Sequence, residues 1–307
     1  MKNVAAMTIW LVLAGPATAQ VSFTQIAEFS IPAANQGVAV DKDHFYAVDD
    51  REIQKYTKDG RFVAEWVDAE DGAMIHLDSA MVRNGKLYAA HSNWRRLPIT
   101  SSIEIWDART MQHIESHSFG RWAPGSFTWF DYHDGYWWGT FANYDRLGPD
   151  GLPYGGGKSN TTVAKFDKDW NILQTWILPQ EILDRLENMS NSGGSWGPDG
   201  YLYLTPHTPA EIYKVKLPEV GSVVELVEII PLNIRGQGIA WDRHEKDILY
   251  GIIRATSEEE AAGMTNKVVA FRADFPAGTQ LESAAETDDE DFDDPDFKQE
   301  NSGRGGR

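Results

Sequence analysis

The sequence contains no cysteine in its 307 residues. Disulfide bonds, thiol nucleophiles, iron–sulfur clusters and cysteine-ligated zinc are therefore excluded. The stability of the fold must come from a hydrophobic core, and a chain of this length can bury one.

Positive charge is scarce, since 28 lysines and arginines stand against 46 acidic residues, for a net charge of −18. The stretch "ESAAETDDEDFDDPDFKQE", residues 282–300, holds ten acidic residues and one lysine, which is half of that charge. We predict a disordered acidic tail over residues 277–307. Because nucleic-acid binding needs a basic surface, no nucleic-acid partner is expected.

Long hydrophobic runs are rare, and the most apolar one, residues 4–14, lies in the opening stretch "MKNVAAMTIWLVLAGPATAQ". A lysine precedes this run and the small residues "ATA" follow it, which is typical of a secretory signal peptide cut after Ala19. The run is too short to span a bilayer. We therefore predict a signal peptide at 1–19 and a protein exported to the periplasm or secreted, with no membrane span after processing.

Five stretches share one pattern: an apolar run, a polar turn such as Asn84-Gly85, and a second apolar run. Each reads as two strands joined by a tight turn. Further strand-like segments follow in every stretch, and the unit recurs every roughly 40–50 residues, the signature of propeller blades. The five stretches are residues 36–50, 76–94, 126–145, 192–209 and 237–256.

The pattern predicts an all-β fold, a β-propeller over residues 20–276 with five four-stranded blades, six being the alternative. The fifth unit lacks a fourth strand, and residues 22–31, "SFTQIAEFSI", form a lone strand ahead of the first unit. We expect this N-terminal strand to fill the missing place and close the ring. The one helix expected is residues 181–188, "EILDRLEN".

In a propeller, the first strand of each blade starts, and the second ends, at the same rim of the central channel. By position within the repeat, three histidines map to this rim, together with Arg254. The predicted catalytic residues are His76, His91, His207 and Arg254. They would act as general acids or bases, or stabilise a developing negative charge. The predicted substrate-binding residues are Gln36, Gln237, Asn93, Ser126, Trp94 and Trp122.

Imidazole, carboxylate and amide groups on this rim are also ordinary ligands of divalent metals. The sequence therefore predicts a candidate site for calcium, zinc or manganese. Its predicted ligands are Asp49, Asp78, His91, Asn143 and His207. The alternative is that these polar groups tie neighbouring blades together by hydrogen bonds.

Three long connections between second and third strands belong to the same rim: residues 92–101, 144–160 and 254–266. Long loops in a compact fold are usually functional or mobile, and the Gly-Pro-rich loop 144–160 could act as a lid. Trp94 and Trp122 lie in rim loops beside polar residues, where an aromatic ring could stack on a sugar.

The blade motifs "QGVAVD", "SFTWFD", "SWGPDGYLY" and "QGIAWD" resemble those of exported NHL-like and gluconolactonase/regucalcin-like propellers across residues 36–273. They are closer still to bacterial propellers loosely named cycloisomerases. Gluconolactonase-like enzymes have six blades and hold a divalent metal through a glutamate that starts an early blade, with asparagine and aspartate. Gln36 stands at that glutamate's place here, Asn143 is the positional match for the asparagine, and the rim offers histidines instead.

Two hypotheses follow. The first is an exported enzyme, a hydrolase, lyase or isomerase, acting on a small carbohydrate-derived or lactone-like substrate at the His/Asp/Asn site, with or without a divalent metal. The second is a non-catalytic propeller that binds a glycan or a protein through the same face. The enzyme would depend on His91, whereas the binding module would depend most on Trp94 and Trp122.

Overall fold

The structure, a computed structural model, describes residues 20–120 and 124–282. Within these ranges twenty strands form five antiparallel sheets of four strands each. The prediction of an all-β propeller with five blades is confirmed. No helix in these ranges is long and apolar enough to cross a membrane.

Each blade is one sheet, and four of the five take their strands consecutively from the chain. The strands are β1 (Ser22–Ser30); β2 (Gly37–Val40), β3 (His44–Asp49), β4 (Glu52–Thr57) and β5 (Phe62–Val67) of blade 1; β6 (His76–Arg83), β7 (Lys86–Ser92), β8 (Ser101–Asp107) and β9 (Gln112–Gly120) of blade 2; β10 (Ser126–His133), β11 (Tyr136–Ala142), β12 (Thr162–Phe166) and β13 (Ile172–Ile177) of blade 3; β14 (Asn191–Trp196), β15 (Leu202–Pro206), β16 (Glu211–Lys216) and β17 (Glu225–Pro231) of blade 4; and β18 (Ala240–Trp241), β19 (Ile248–Ile253) and β20 (Lys267–Asp274) of blade 5.

The N-terminal strand closes the ring as the sequence predicts. Blade 5 has the strand order β1-β20-β19-β18, so β1 is its outermost strand. The two strands pair antiparallel along their whole length, from Ser22 opposite Asp274 to Ser30 opposite Lys267. The start and the end of the propeller are thus held in one sheet.

Burial falls from the axis to the outside of each blade. Every residue of the innermost strands β2 and β14 is buried, whereas most residues of the outer strands β5 and β13 are exposed. Strands covered on both faces carry apolar or small residues at every position, whereas outer strands alternate between buried apolar and exposed polar residues. The tight turns between first and second strands need left-handed backbone, and Asn84-Gly85 supplies it with φ of 49° and 68°.

Tryptophans fill the spaces between blades, as expected for strand positions. Trp129, Trp138 and Trp196 belong to one buried cluster between blades 3 and 4. The Trp129 indole Nε1–H also donates to Asn191 Oδ1 across the two blades, at 2.6 Å. Packing and a satisfied hydrogen bond therefore fix adjacent blades together.

The helical content differs from the expectation. The predicted helix 181–188 is a single turn, α1 (Gln180–Leu183). A second helix, α2 (Ser257–Ala261), lies inside the rim loop 254–266, which was expected to have no regular structure. Thr256 and Glu259 form a capping box at its start, and that Thr-x-x-Glu spacing was the signal in the sequence.

Removing β1 tests the closure. A chain that begins at Ile31 should lose its single cooperative thermal transition, because blade 5 loses a strand and Phe45 loses its stacking partner Phe29, 5.1 Å away between ring centroids. Circular dichroism melting measures this. The control is Ile26→Ser, since Ile26 is half exposed in the same strand. An unchanged melting temperature of the shortened chain would contradict the closure.

Candidate functional site

The floor of the candidate site is formed where three blades meet most closely. A Cβ atom added to Gly238 would lie 1.9 Å from Ser79 Oγ and 3.0 Å from Gly37 Cα. Only glycine fits this approach. The residues just before these three, Gln237, Asp78 and Gln36, stand one layer above the floor, at the mouth of the channel.

A chain of hydrogen bonds joins blade 5 to blade 1 above this floor. The Gln237 amide donates to Gln36 Oε1 at 2.9 Å, and the Gln36 amide donates to Asp50 Oδ1 at 2.7 Å. Both glutamines are buried. Gln237 has φ of 81°, a left-handed backbone that is strained for a residue with a side chain and is often found at functional sites.

His76 continues the chain into blade 2. Its Nδ1 lies 2.6 Å from Asp50 Oδ1 and its Nε2 lies 3.4 Å from Asp78 Oδ2. Burial disfavours the charged imidazolium, but the hydrogen bonds and charges of the two carboxylates outweigh it and raise the pKa of His76 to about 9. His76 is therefore a cation at neutral pH.

Asp78 is the most deeply placed acid of the mouth, with 1% of its surface exposed. Burial raises its pKa, and the hydrogen bond with His76 opposes that effect. Its second oxygen, Oδ1, is buried and has no hydrogen-bond partner among the described residues. A buried carboxylate oxygen without a partner is costly, so this atom is suited to accept a hydrogen bond from a ligand.

His207 and Arg254 form the opposite side of the mouth. Arg254 Nη1 donates to His207 Nε2 at 3.3 Å, and the other ring nitrogen lies 3.0 Å from Thr208 Oγ1. Burial and the Arg254 charge lower the pKa of His207 to about 4, so this imidazole is neutral at physiological pH. Its lone pair therefore faces a guanidinium.

Arg254 itself has no carboxylate within ion-pair distance in the described part of the chain. The charges of Asp78 and Asp50 act on it from further away, while burial lowers the pKa of the guanidinium. A half-buried guanidinium without a paired anion is the arrangement expected of an anion-binding group.

Three aromatic rings form a wall beside this mouth, in which Tyr144 and Tyr154 are buried and Trp94 alone is partly exposed. The Trp94 ring lies 4.1 Å from Tyr144 and 4.7 Å from Tyr154, between centroids. Burial and then the Asp78 charge raise the pKa of Tyr144. The wall brings the rim loops 92–101 and 144–160 together at the site.

His91 lies beside this group but points into blade 2. Its Nε2 accepts the backbone N–H of Ile75 at 3.0 Å, and its Nδ1 lies 2.9 Å from Ser102 Oγ. Ser102 Oγ in turn donates to Glu104 at 2.6 Å. Both ring nitrogens are engaged, and burial lowers the pKa of His91. The ring holds the backbone next to His76 and offers no free lone pair.

Two further predicted residues support rim loops. Asn93 closes the loop 92–101, donating to Pro98 O at 2.8 Å and accepting from Thr100 N at 2.9 Å. The Asn143 amide donates to Pro124 O and Asn160 O, both at 2.9 Å. These contacts are structural.

The remaining predicted residues fall in different places. Asp49 accepts hydrogen bonds from Asn35 Nδ2 and from the next backbone N–H, both at 2.7 Å. Ser126 is completely buried in blade 3. Trp122 lies outside the described residues.

The predicted metal ligands do not fit a metal ion in this arrangement. Over residues 20–120 and 124–282, no three histidine, aspartate or glutamate side chains are grouped so as to hold one. Both nitrogens of His91 are already bonded, and the His207 lone pair faces Arg254. A positive guanidinium beside a ligand disfavours a cation there.

Sequence reasoning missed Asp50, Tyr144 and Tyr154. Asp50 follows Asp49 at the end of a second strand, and the one-residue difference decides which carboxylate meets His76. The two tyrosines lie in a long loop, and only the packing of that loop brings them to the mouth.

Comparisons with known proteins identify a propeller architecture but no protein family. No family model and no curated protein matches the sequence. Solved structures that match include a luciferin-regenerating enzyme (13% identity, 86% of this chain and 100% of that one, TM-score 0.49). A second is a PQQ-bound aldose sugar dehydrogenase from Streptomyces coelicolor (10% identity, 84% of this chain and 100% of that one, TM-score 0.45). A third is a streptogramin B lyase (11% identity, 83% of this chain and 98% of that one, TM-score 0.44). These neighbours are β-propellers, and at such low identity they carry no information on the reaction.

Replacing His76 tests the ion network. At pH 6, His76→Gln should unfold with a free energy about 2 kcal/mol lower than the original protein, because two carboxylates lose the cation between them. The stabilisation by protonated His76 is complete below its unfolded-state pKa near 6.5 and is lost as pH rises through about 9. Urea unfolding at pH 6, 8 and 10 should show the difference shrinking, and a constant difference would refute the charged state.

Replacing His91 tests whether its ring has a structural role. His91→Ala should lower the free energy of unfolding by about 1–3 kcal/mol, since it leaves the Ile75 N–H without an acceptor. The matched control, His244→Ala, removes an exposed imidazole on the opposite face. Urea unfolding of the two variants side by side is the measurement. Unchanged stability of His91→Ala would show that the ring is not a structural tie.

Proposed function

We propose that the protein is an exported enzyme that acts on a small carbohydrate-derived or lactone-like acid at the channel mouth, by hydrolysis, elimination or isomerisation. One observation carries the proposal. Arg254, a half-buried guanidinium without an ion pair in the described ranges, lies 3.3 Å from the lone pair of His207. An anion-binding group and a proton acceptor are thus adjacent.

The mouth supplies three kinds of contact for such a substrate. Arg254 would bind the carboxylate through paired N–H groups. Asp78 Oδ1, buried and without a partner among the described residues, would accept a hydrogen bond from a hydroxyl group. The partly exposed ring of Trp94, held by the buried Tyr144 and Tyr154, would cover an apolar face of the sugar ring.

Substrate binding would also prepare the base. In the free protein the His207 lone pair accepts a long hydrogen bond from Arg254, which competes with any proton transfer. A carboxylate that pairs with Arg254 draws the guanidinium away and neutralises its charge. His207 Nε2 is then free to take a proton from carbon or from water, and its basicity rises.

His76 would act by position and charge. Held between Asp50 and Asp78, it fixes the position of the Asp78 carboxylate and contributes a positive charge to the site. A developing oxyanion would be stabilised by this charge and by Arg254. A divalent metal has no part in the proposal, because no three histidine, aspartate or glutamate side chains of the described residues are grouped so as to hold one.

Export is proposed from the N-terminal sequence pattern alone. Residues 1–19 carry it, and they lie outside the described residues. The acidic segment from residue 283 onward lies outside them as well.

A glycan-binding protein without catalysis is the second candidate. The observation that favours it is the aromatic wall, since rings beside a polar mouth bind sugars without any chemistry. In that function Trp94 would matter more than His207.

Two substitutions distinguish the candidates. With the best substrate from a panel of sugar acids and their lactones, His207→Gln should lower kcat about 100-fold or more, as for loss of a general base. Arg254→Gln should raise KM about tenfold or more, as for loss of a hydrogen-bonded charge. His244→Gln and Arg109→Gln, exposed on the far face, serve as matched controls.

Full turnover in His207→Gln would contradict the proposed role of His207. Saturable sugar binding with no turnover, abolished in Trp94→Ala, would establish the binding candidate instead.

A further inference from the structure

We infer that the substrate carries a second carboxylate, and that the rim arginines Arg95 and Arg146 bind it. The substrate class is then an acidic oligosaccharide, a chain of uronic acid units with one carboxylate on each ring. This inference rests on the proposed function, because the first carboxylate is the one assigned to Arg254.

The two arginines lie on loops that pack against each other. Tyr154 of the loop 144–160 donates its hydroxyl hydrogen to Arg96 O at 3.2 Å, and the Trp94 ring packs on Tyr144 and Tyr154. Tyr154 N–H also donates to Arg146 O at 3.0 Å. The backbones that carry the two guanidinium groups are therefore joined through one aromatic cluster at the rim.

Neither arginine is paired with a carboxylate of the described residues. Both side chains are exposed. Arg95 has φ of 68°, a left-handed backbone that is unfavourable for a residue with a side chain. Strain of this kind at a loop tip is characteristic of binding positions.

Their charges converge on the mouth. After burial and its guanidinium neighbour, the charges of Arg146 and Arg95 further lower the pKa of the His207 imidazole. Both positive charges therefore act on His207, although the chain as a whole has a net charge of −18. Such a local field attracts anions against the overall charge of the protein.

An aromatic ring stands where a sugar unit would cross from the mouth to the rim. The Arg95 guanidinium carbon lies 5.9 Å from the centre of the Trp94 ring. A uronic acid unit stacked beside Trp94 would bring its carboxylate towards the arginines while its neighbour reaches Arg254.

The test compares galacturonic acid with its 1,4-linked dimer by isothermal titration calorimetry, at low ionic strength and neutral pH. The dimer should bind about tenfold more tightly than the monomer, since two exposed ion pairs each add a few-fold. In the double variant Arg95→Gln/Arg146→Gln the ratio should fall to about one. The matched double variant Arg61→Gln/Arg109→Gln, with the same charge change on far-face turns, should keep the ratio of the original protein.

Two outcomes would overturn the inference while leaving the proposed function in place. One is monomer binding with no gain for the dimer, and the other is a gain that survives in Arg95→Gln/Arg146→Gln. If neither acid binds, the inference fails, and the proposed function is decided separately by the panel of sugar acids and lactones. Thermal melting of both double variants establishes that they are folded.

Discussion

The mouth of the propeller is organised around one ionic interaction, the largely buried His76 imidazolium between the partly exposed Asp50 of blade 1 and the buried Asp78 of blade 2. Isolated charges are expensive to bury, and a cation between two carboxylates is tolerated only when its geometry is held from outside. Gln36 does so by donating to Asp50, and Gln237 of blade 5 holds Gln36 in turn. Three blades thus meet through one polar chain.

The same network explains why two neighbouring histidines have opposite charge states. His76 has carboxylates on both sides and is protonated, whereas His207 lies next to Arg254 and is neutral. Environment rather than residue type assigns the roles, as in active sites where like groups are driven to different pKa values. A fixed cation and a free base can then serve one substrate.

Most of the fold follows from the sequence, because the strand repeat is periodic and a four-stranded blade is a local unit. The fifth unit lacks one strand and β1 is a lone strand, so the sequence predicts that β1 completes blade 5, as it does. Helix α2 was not foreseen, although its capping box is written in the sequence. The capping box predicts the start of a helix, whereas the length of the loop led to the expectation of irregular structure.

The candidate site is less accessible to such reasoning. Position in the repeat brings His76, His207 and Arg254 to one rim, but it does not give the direction of a side chain. His91 belongs to the same rim and turns its ring into blade 2. The choice between Asp49 and Asp50 depends on one residue of strand register. Arg95 and Arg146 depend on how two loops fold on each other, which no repeat encodes.

The channel mouth is expected to hold one charged and one neutral histidine in a single polar site. Nuclear magnetic resonance titration of the imidazole nitrogens tests it most directly, with His76→Gln and His207→Gln to assign the two signals. The account predicts that His76 titrates at about 9 and His207 at about 4. Two ordinary titrations near 6.5 would show that neither the ion network nor the guanidinium contact exists.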